Sequence, residues 1–389
     1  MTIERRLSIL ITAALSISGV LLLALGVASG LTVAKAAGTM VLEDSLNPTG
    51  NAYEINPDTH GNLWITDYGA NEVRQVNPAT RVVTIYSGLK NATDARMDPA
   101  GMVWWTNADG RALGRISLGT STVTTWTLTG TFALGGIAFD GAGRVWTTDV
   151  SFLDGLLYRF TPGTDQVCTY AIPDGGGSAY ILAQGANIWL GDTWNSRILK
   201  FDSGSNVFTY WQLGGSAIPK GMALEANGNL WWADENQPRL GRLEPVISRT
   251  TVYTLPIGTT PEMIALNQGK VWYTENVSRT IGMLDPAVAS GLSSTPVKST
   301  APVSPTCTNL GSGHSATVSI STAVLAWTPA VYTRTINSGG WTVYQMPPGA
   351  APWGIAANAA DTWAVDHGRH KLAHLFEPKN VYLPLITKQ

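Results

Sequence analysis

The stretch Arg144–Asp149, which reads Arg-Val-Trp-Thr-Thr-Asp, is the third of seven copies of one short phrase. Each copy carries a Trp, and six of the seven carry Asp or Glu three residues after it. The seven marker residues are Trp64, Trp104, Trp146, Trp189, Trp231, Trp272 and Trp363. Successive copies stand roughly 42 residues apart, and a β-rich period of that length is typical of a β-propeller rather than of a helical solenoid.

Each period predicts four short strands. In the third copy these are an inner segment at 136–140, the Trp strand, a third strand at 156–160 and an outer strand at 166–170. A small residue recurs between apolar ones in several third strands, which indicates that neighbouring strands crowd them. The sequence therefore predicts an all-β, seven-bladed β-propeller of four-stranded antiparallel blades.

The last two copies lie 91 residues apart, which is one period plus about 50 extra residues. The extra segment, 287–340, is rich in Ser and Thr, and it ends before Trp341, where an ordinary outer strand begins. We interpret it as an insertion between blades 6 and 7 of a propeller domain spanning 38–389. An eighth, decayed blade is the alternative, and residues 316–337 are expected to form a hairpin on the propeller's edge.

Either end of the chain is able to complete the seventh blade. Residues 40–44 stand where the preceding blade's outer strand would fall, and residues 380–386 stand where a final outer strand is due. One of the two should pair there, because closing the ring removes exposed strand edges.

Residues 1–37 combine Arg5 and Arg6 with a long apolar run and a small-residue end. These are the parts of a signal peptide, although the run is long enough to span a bilayer as an uncleaved anchor. Both alternatives stay open. Either way we expect the body to be secreted, or anchored to the outer face of the cytoplasmic membrane, and to meet the membrane only through this segment.

The net charge of −2 offers no basic excess for phosphate contacts, so nucleic acid is not an expected partner. Two cysteines do not make a disulfide framework. Cys168 falls on the third blade and Cys307 in the insertion after the sixth, on roughly opposite sides of the ring, so we expect no bridge between them. The chain is expected to be a monomer.

The Trp-x-Thr-Asp/Glu phrase, the third strand after it and the period together resemble the streptogramin (virginiamycin) B lyase family. The resemblance covers most of 40–389 and implies a seven-bladed propeller. It also implies a site at the mouth of the central channel, where the family opens a cyclic depsipeptide by elimination with the help of Mg²⁺. Such chemistry needs a base for the proton alpha to a carbonyl and a cation for the oxyanion.

The resemblance places a Tyr in the first blade, a His at the start of each of the last two blades, and glutamates in the last blade. Tyr53 matches. Glu262 and Trp353 stand where the two His are expected, and Ala351 stands where a Glu is expected. His367 lies near the place of the remaining Glu. If the chain is a lyase, the candidate catalytic residues are therefore Tyr53, Glu262 and His367, with Glu262 and His367 as metal ligands.

Blade starts ring the channel mouth, and four of them differ from the small residues found elsewhere in that ring. These are Tyr53, Lys220, Glu262 and Trp353. We predict that they form a polar and aromatic patch, with Lys220 and Trp353 as ligand-binding residues. The alternative is that they are scattered rim residues without a common ligand.

The acids of the repeated phrase form a second ring. Its members are Asp67, Asp149, Asp192, Asp234, Glu275 and Asp366, with Asn107 in the second copy. Oxygen ligands around one axis would suit Mg²⁺ or Ca²⁺. A structural ring is the favoured interpretation, because each acid can accept hydrogen bonds from backbone amides or from Arg side chains such as Arg74 and Arg197.

Three functions follow as hypotheses. The first is an exported propeller that binds a small molecule, glycan or peptide at its channel mouth without the elimination. The second is an active lyase using Mg²⁺, or Ca²⁺ in its place; the residues fix neither metal. The third is a cell-surface interaction module whose insertion carries the contact.

Overall fold

The computed structural model describes residues 40–45, 50–120, 122–128, 133–150, 155–256, 260–326, 328–329, 332–337, 339–358 and 361–376. Every regular element in these ranges is a strand, and the strands form seven antiparallel sheets of five. These sheets are the seven blades, so the predicted fold class is confirmed and the eighth blade is excluded. The N-terminal segment 1–37 lies outside the described residues, among which no helix is long and apolar enough to cross a membrane.

The strands follow one another in chain order. The N-terminal strand is β1 (Met40–Ser45). Blade 1 contains β2 (Ala52–Pro57), β3 (Leu63–Asp67), β4 (Glu72–Val76) and β5 (Val82–Ser87). Blade 2 contains β6 (Ala92–Met97), β7 (Val103–Asn107), β8 (Ala112–Ile116) and β9 (Thr122–Thr127). Blade 3 contains β10 (Leu134–Phe139), β11 (Val145–Asp149), β12 (Leu156–Thr161) and β13 (Gln166–Ala171). Blade 4 contains β14 (Ile181–Gln184), β15 (Asn187–Asp192), β16 (Arg197–Asp202) and β17 (Val207–Gln212).

Blade 5 contains β18 (Pro219–Leu224), β19 (Leu230–Asp234), β20 (Arg239–Glu244) and β21 (Arg249–Thr254). Blade 6 begins with β22 (Ile264–Asn267), β23 (Lys270–Glu275) and β24 (Thr280–Leu284). The insertion supplies β25 (Leu292–Ser294), β26 (Lys298–Pro302), β27 (Thr306–Asn309), β28 (His314–Thr317), β29 (Ser319–Val324), β30 (Thr328–Pro329) and β31 (Thr333–Asn337). Blade 6 ends with β32 (Trp341–Gln345), and blade 7 contains β33 (Pro352–Ala357), β34 (Asp361–Asp366) and β35 (Lys371–Phe376).

The first strands of the seven blades contact one another in a closed ring around the channel. The ring closes through β1, which lies beside β35 and completes blade 7. Of the two ends that the sequence offered for completing blade 7, the N-terminal strand is the one that pairs there. Residues 380–386 lie outside the described part of the chain.

The insertion forms a belt around the propeller, defined here as strands β25 to β31. It visits blades 5, 4, 3, 2, 1, 7 and 6 in that order and adds a fifth strand to the outer side of each. Two expectations were therefore wrong. The insertion interrupts blade 6, between β24 and β32, and does not lie between blades 6 and 7. Residues 316–337 contribute strands to four different blades and do not form a hairpin.

The belt is also cross-linked. Cys307 on β27 lies directly opposite Cys168 on β13, and the two form a disulfide. The expectation of no bridge was wrong, because the belt carries Cys307 around the ring from blade 6, where the insertion begins, to the edge of blade 3.

The repeated phrase has a structural task at each of its positions. In four blades the indole N–H of the marker Trp donates to a carboxylate six residues earlier, as from Trp146 to Asp140 at 2.7 Å. The other oxygen of Asp140 accepts from the amides of Ala142 and Arg144, and Gly143 has a positive φ of 75°. In these four blades the acid and a glycine thus close the turn before the Trp strand.

The Thr of the phrase ties neighbouring blades together. The hydroxyl of Thr106 donates to the carbonyl of Gly135 in blade 3 at 2.8 Å. Thr274 donates in the same way to the carbonyl of Trp353 in blade 7 at 2.6 Å. This contact fixes the backbone at one of the predicted site residues, so the phrase positions the channel mouth without taking part in it.

Glycines in the third strands make room for the second aromatic residue of the phrase. Gly241 lies opposite Trp232, and Gly282 lies opposite Tyr273. A Cβ at either glycine would overlap with the facing ring. In blade 3 the sizes are exchanged, with small Thr147 opposite large Tyr158. The predicted crowding of the third strands is confirmed, and its cause is this pairing.

Candidate functional site

A cavity of about 450 Å³ opens at one end of the channel, among the starts of the inner strands. Its walls are mainly apolar and aromatic, with a few polar groups. The lining residues are Asn51, Tyr53, Glu54, Tyr68, Thr93, Asp94, Ala108, Leu134, Gly135, Gly136, Val150, Ala179, Tyr180 and His367. A pocket of this size and lining is typical of small-molecule sites.

The four predicted rim residues form one continuous cluster beside this cavity. The rings of Tyr53 and Trp353 have their centroids 5.2 Å apart. The ammonium of Lys220 lies over the Trp353 ring, 4.4 Å from its centroid, which is within the range of a cation–π contact. Lys220 in turn contacts the Glu262 carboxylate at 2.5 Å. The structure therefore brings together side chains from blades 1, 5, 6 and 7.

Lys220 is held between two carboxylates. Besides Glu262 it contacts Glu235 Oε1 at 2.6 Å, and both Lys220 and Glu262 are buried. Burial alone would lower the pKa of the ammonium, but Glu262 and Glu235 outweigh it and raise the pKa above its ordinary value. Lys220 therefore stays charged, and its charge is already balanced by protein groups.

Glu54 is the least expected member of the site. It follows Tyr53 on β2, lines the cavity and is only 5% exposed. Burial, reinforced by nearby Asp94, raises its pKa from 4.5 to about 8, against smaller opposing effects of Arg96 and Lys220. Its Oε1 accepts no hydrogen bond from the described residues. At neutral pH Glu54 is thus mostly a neutral acid.

Asp94 lies close to Glu54 but is fully occupied. Its Oδ1 accepts from the Asn56 amide at 2.7 Å, and its Oδ2 accepts from the backbone N–H of Ile137 at 2.7 Å. Arg96 adds an ion pair at 3.0 Å. These contacts connect the inner strands of blades 1, 2 and 3, and they assign Asp94 a structural role.

Two phenols border Glu54. Tyr53 precedes Glu54 on β2, and Tyr180 of blade 4 lines the same cavity. Burial, and then the neighbouring Glu54, raise the pKa of each phenol, most strongly that of Tyr180. Both tyrosines therefore remain protonated at neutral pH, and each can donate a hydrogen bond to a ligand.

His367 follows β34 and lines the same cavity as Tyr53. Its backbone N–H donates to the carbonyl of Ala351 at 3.0 Å, whereas its Nδ1 has no hydrogen-bond partner among the described residues. The two other histidines of this blade are not part of the cavity. His370 lies in a turn with φ of 53°, and His374 stacks on Trp363.

The residues present do not fit Mg²⁺ or Ca²⁺ at Glu262, because the Lys220 ammonium already occupies its carboxylate. The described residues contain no group of three or more His, Cys, Asp or Glu able to hold a metal. The roles of Tyr53, Glu262 and His367 in catalysis stay predictions.

The second ring of acids has the contacts of a structural ring. Asp67 accepts from backbone N–H groups of Asn51 and Ala70 and pairs with Arg74 at 3.0 Å. The same pattern of nearby amides and an Arg recurs at Asp192, Asp234 and Asp366, while Glu275 accepts from two hydroxyls. The arginines are Arg197, Arg239 and Arg369, and the hydroxyls are those of Ser278 and Thr280.

Sequence reasoning missed Glu54 and Tyr180, although a signal for both was present. The residue after the blade start is a glycine in three blades, at Gly136, Gly221 and Gly354. Backbone of the next blade lies too close for a Cβ at Gly221 and Gly354, and a Cβ would be tight at Gly136. Glu54 and Tyr180 break that pattern. Comparing the second position of every inner strand, rather than only the first, would have identified them.

No family model matches the chain, and no curated protein matches it in sequence. Solved structures do match in fold. A catalytically inactive virginiamycin B lyase from Staphylococcus aureus with quinupristin superposes with a TM-score of 0.66 at 18% identity, over 88% of this chain and 100% of the other. A streptogramin B lyase structure superposes with a TM-score of 0.67 at 18% identity, over 87% of this chain and 98% of the other. The chain is a seven-bladed β-propeller whose fold is that of the streptogramin B lyases.

Proposed function

We propose that this chain is an exported β-propeller that binds a small organic ligand in the cavity at the mouth of its channel. The observation that carries the proposal is the cavity itself. About 450 Å³ of space is bordered by two protonated tyrosines and one neutral acid, against apolar walls. Few polar groups in a mainly apolar pocket are the usual means of orienting a ligand.

The ion pair at Lys220 favours binding over elimination. In a lyase the residue at the position of Glu262 would need to be free to take a proton or hold a cation. Here its carboxylate is bound to a buried ammonium, and removing one partner would leave the other charge buried and unpaired. Tyr53, the matching residue, is protonated and cannot act as a base.

The disulfide supports export. Disulfides persist in oxidising compartments and are rare in the cytosol, and Cys168–Cys307 joins two strands that pair directly. This agrees with the signal peptide or anchor proposed from residues 1–37. The belt's pairing with every blade gives the insertion a structural task, so a partner is not needed to account for it.

A ligand screen tests the proposal. Purified protein is heated with streptogramin B, neutral oligosaccharides, short peptides and small aromatic compounds, and its unfolding temperature is recorded. A bound ligand at about 100 times its Kd should stabilise the fold by roughly 2.7 kcal/mol. The shift should disappear in Trp353→Ala, which removes the ring packed against Tyr53 of the cavity wall. It should persist in Trp194→Ala, a matched change at an exposed Trp away from the cavity. A panel without any such shift would refute the proposal.

The lyase alternative is tested separately, because the fold similarity to lyases is the observation that favours it. The protein is incubated with a streptogramin B and Mg²⁺, and ring opening is followed by chromatography. We expect intact antibiotic. Ring opening that is lost in Tyr53→Phe or Glu262→Gln, but not in Glu244→Gln, would replace the binding proposal with an enzymatic one.

A further inference from the structure

Two residues that line the cavity, Glu54 and His367, each carry a buried polar atom without a hydrogen-bond partner among the described residues. The two atoms are Glu54 Oε1 and His367 Nδ1. A buried polar atom left unpaired costs about 1–3 kcal/mol, so an arrangement that keeps two of them in residues lining one cavity is expected to serve a ligand.

The charges beside the cavity favour a cation. The carboxyl groups are Glu54, Asp94, Glu235 and Glu262, and the cations are Arg96 and Lys220. Arg96 is paired with Asp94, and Lys220 is held by Glu235 and Glu262. Glu54 is therefore the one carboxyl of this group that has no cation bound to it, and the remaining charge of the group is negative.

We propose that the cavity binds a small organic amine whose ammonium group lies against Glu54 and whose apolar body fills the space beside it. This rests on the proposed ligand-binding function and names its ligand class. His367 lines the same cavity and provides a further polar side chain beside the ligand.

The walls suit such a ligand. The rings of Tyr53 and Tyr180 border Glu54, and an ammonium near aromatic faces gains a cation–π contribution. Leu134, Val150 and Ala108 supply apolar surface from blades 2 and 3 for the rest of the molecule. A carboxylate-bearing ligand would instead meet an excess of negative charge.

Binding of an amine should be coupled to release of a proton. Glu54 is mostly protonated at pH 7, because its pKa is about 8, and an ammonium stabilises the ionised form. The groups that face Glu54 are Tyr53 on its own strand, Asp94 and Arg96 of blade 2, Tyr180 of blade 4 and Lys220 of blade 5. The affinity for the amine should thus rise roughly tenfold between pH 6 and pH 7 and level off above pH 8.

The test uses three probes with one apolar body and different charge. They are 2-phenylethylamine, 2-phenylethanol and 3-phenylpropanoate, and their binding to the purified protein is measured by saturation-transfer NMR and calorimetry. We expect the amine to bind at least ~10-fold more tightly than the other two. Calorimetry at pH 7 in buffers of different ionisation enthalpy should show release of close to one proton per amine bound.

Glu54→Gln should weaken amine binding by roughly tenfold and leave the alcohol unchanged, since it keeps the shape and removes the charge. Glu235→Gln, which removes a charge at the exposed end of the same cluster, should change the amine's affinity by less than ~2-fold. If Glu54→Gln does not fold, the inference is tested on the unaltered protein by the pH dependence of the amine's affinity and by the number of protons released on binding.

Equal binding of the alcohol and the amine, or amine binding without proton release, would overturn the inference while leaving ligand binding intact. Absence of binding by all three probes would overturn it as well. The ligand screen described above judges the broader proposal independently, because it includes uncharged sugars and peptides.

Discussion

Replacing Cys307 with Ser should destabilise the propeller substantially. The change removes the disulfide cross-link between the belt and blade 3, and it leaves Cys168 as a buried thiol. Cys307 itself is exposed, so the serine hydroxyl meets water and introduces no buried polar group. The effect measured is therefore that of the cross-link.

The magnitude follows from the length of chain that the disulfide closes. The two cysteines are 139 residues apart. Loss of loop-closure entropy in the unfolded chain then corresponds to about 5 kcal/mol at 25 °C, as an upper value, because residual structure in the unfolded chain reduces it. For about 320 ordered residues this amounts to a fall of about 7 °C in the unfolding temperature.

The assay is thermal and urea unfolding of three proteins under non-reducing conditions. They are the unaltered chain, Cys307→Ser and Thr308→Ser, the last being a matched change at an exposed neighbour on the same belt strand. Only Cys307→Ser should lose stability. A reducing agent should lower the unfolding temperature of the unaltered protein to that of Cys307→Ser. It should not change the unfolding temperature of the variant.

An unfolding temperature for Cys307→Ser within a degree of the unaltered protein would refute the reasoning. It would mean that the belt's backbone pairing holds it in place without the cross-link, or that the bridge does not form. Peptide mapping without reduction separates these two causes, since a closed bridge joins the peptides that contain Cys168 and Cys307.

Three further changes test other parts of the structure. Gly241→Ala places a methyl group against the Trp232 indole and should cost about 1–3 kcal/mol in urea unfolding. Gly141→Ala, where the added Cβ makes only an ordinary van der Waals contact with Gly185 at 3.7 Å, should cost less than about 0.5 kcal/mol. Glu225, whose pKa is lowered from 4.5 to about 2 chiefly by a hydrogen bond from Arg242, should stabilise the fold above pH 4.5 and cease to do so as pH falls through 2. Glu225→Gln should flatten that part of the stability profile, and an unchanged slope would contradict the assignment. Deleting 287–338 joins Pro286 to Gly339 and should give a folded propeller of four-stranded blades, because Leu284 and Trp341 already face each other; a protein without β circular dichroism would contradict this.

The repeated phrase made the fold predictable because its residues have structural tasks that recur from blade to blade. The marker Trp closes the inner turn, the Thr bonds to the next blade, and the acid closes the loop at the strand's end. A task repeated in several blades leaves a period in the sequence. Seven blades, their order and the outer strand at Trp341 followed from that period.

The belt was not predictable for a physical reason. Strands β27, β28 and β29 are exposed on both faces, so their side chains show no alternation of apolar and polar residues. They are held by backbone hydrogen bonds to an edge that another part of the chain provides. The local sequence of a belt strand therefore does not show which blade it joins, and the sequence around Cys307 does not show that Cys168 is its partner.

The site was predictable in part. Tyr53, Lys220, Glu262 and Trp353 were recognisable because they differ from the small residues at the other blade starts. Their mutual contacts depend on the closing of the ring, which brings blade 7 beside blade 1. Glu54 escaped notice because an acid after a Tyr on a strand is ordinary in a sequence, and only its burial changes its chemistry.

The belt also changes how the molecule comes apart. An array of repeats without such a strap contacts only its neighbours and tends to unravel from one end. Here a single run of chain holds all seven blades, and it joins residues as distant as Ser87 and Ser319. No blade can leave its place without detaching its belt strand, which is continuous along the chain with the belt strand of a neighbouring blade. Loss of the fold should therefore be one concerted event, and closing it should be slow, because the belt cannot attach fully until both β1 and blade 6 are in place.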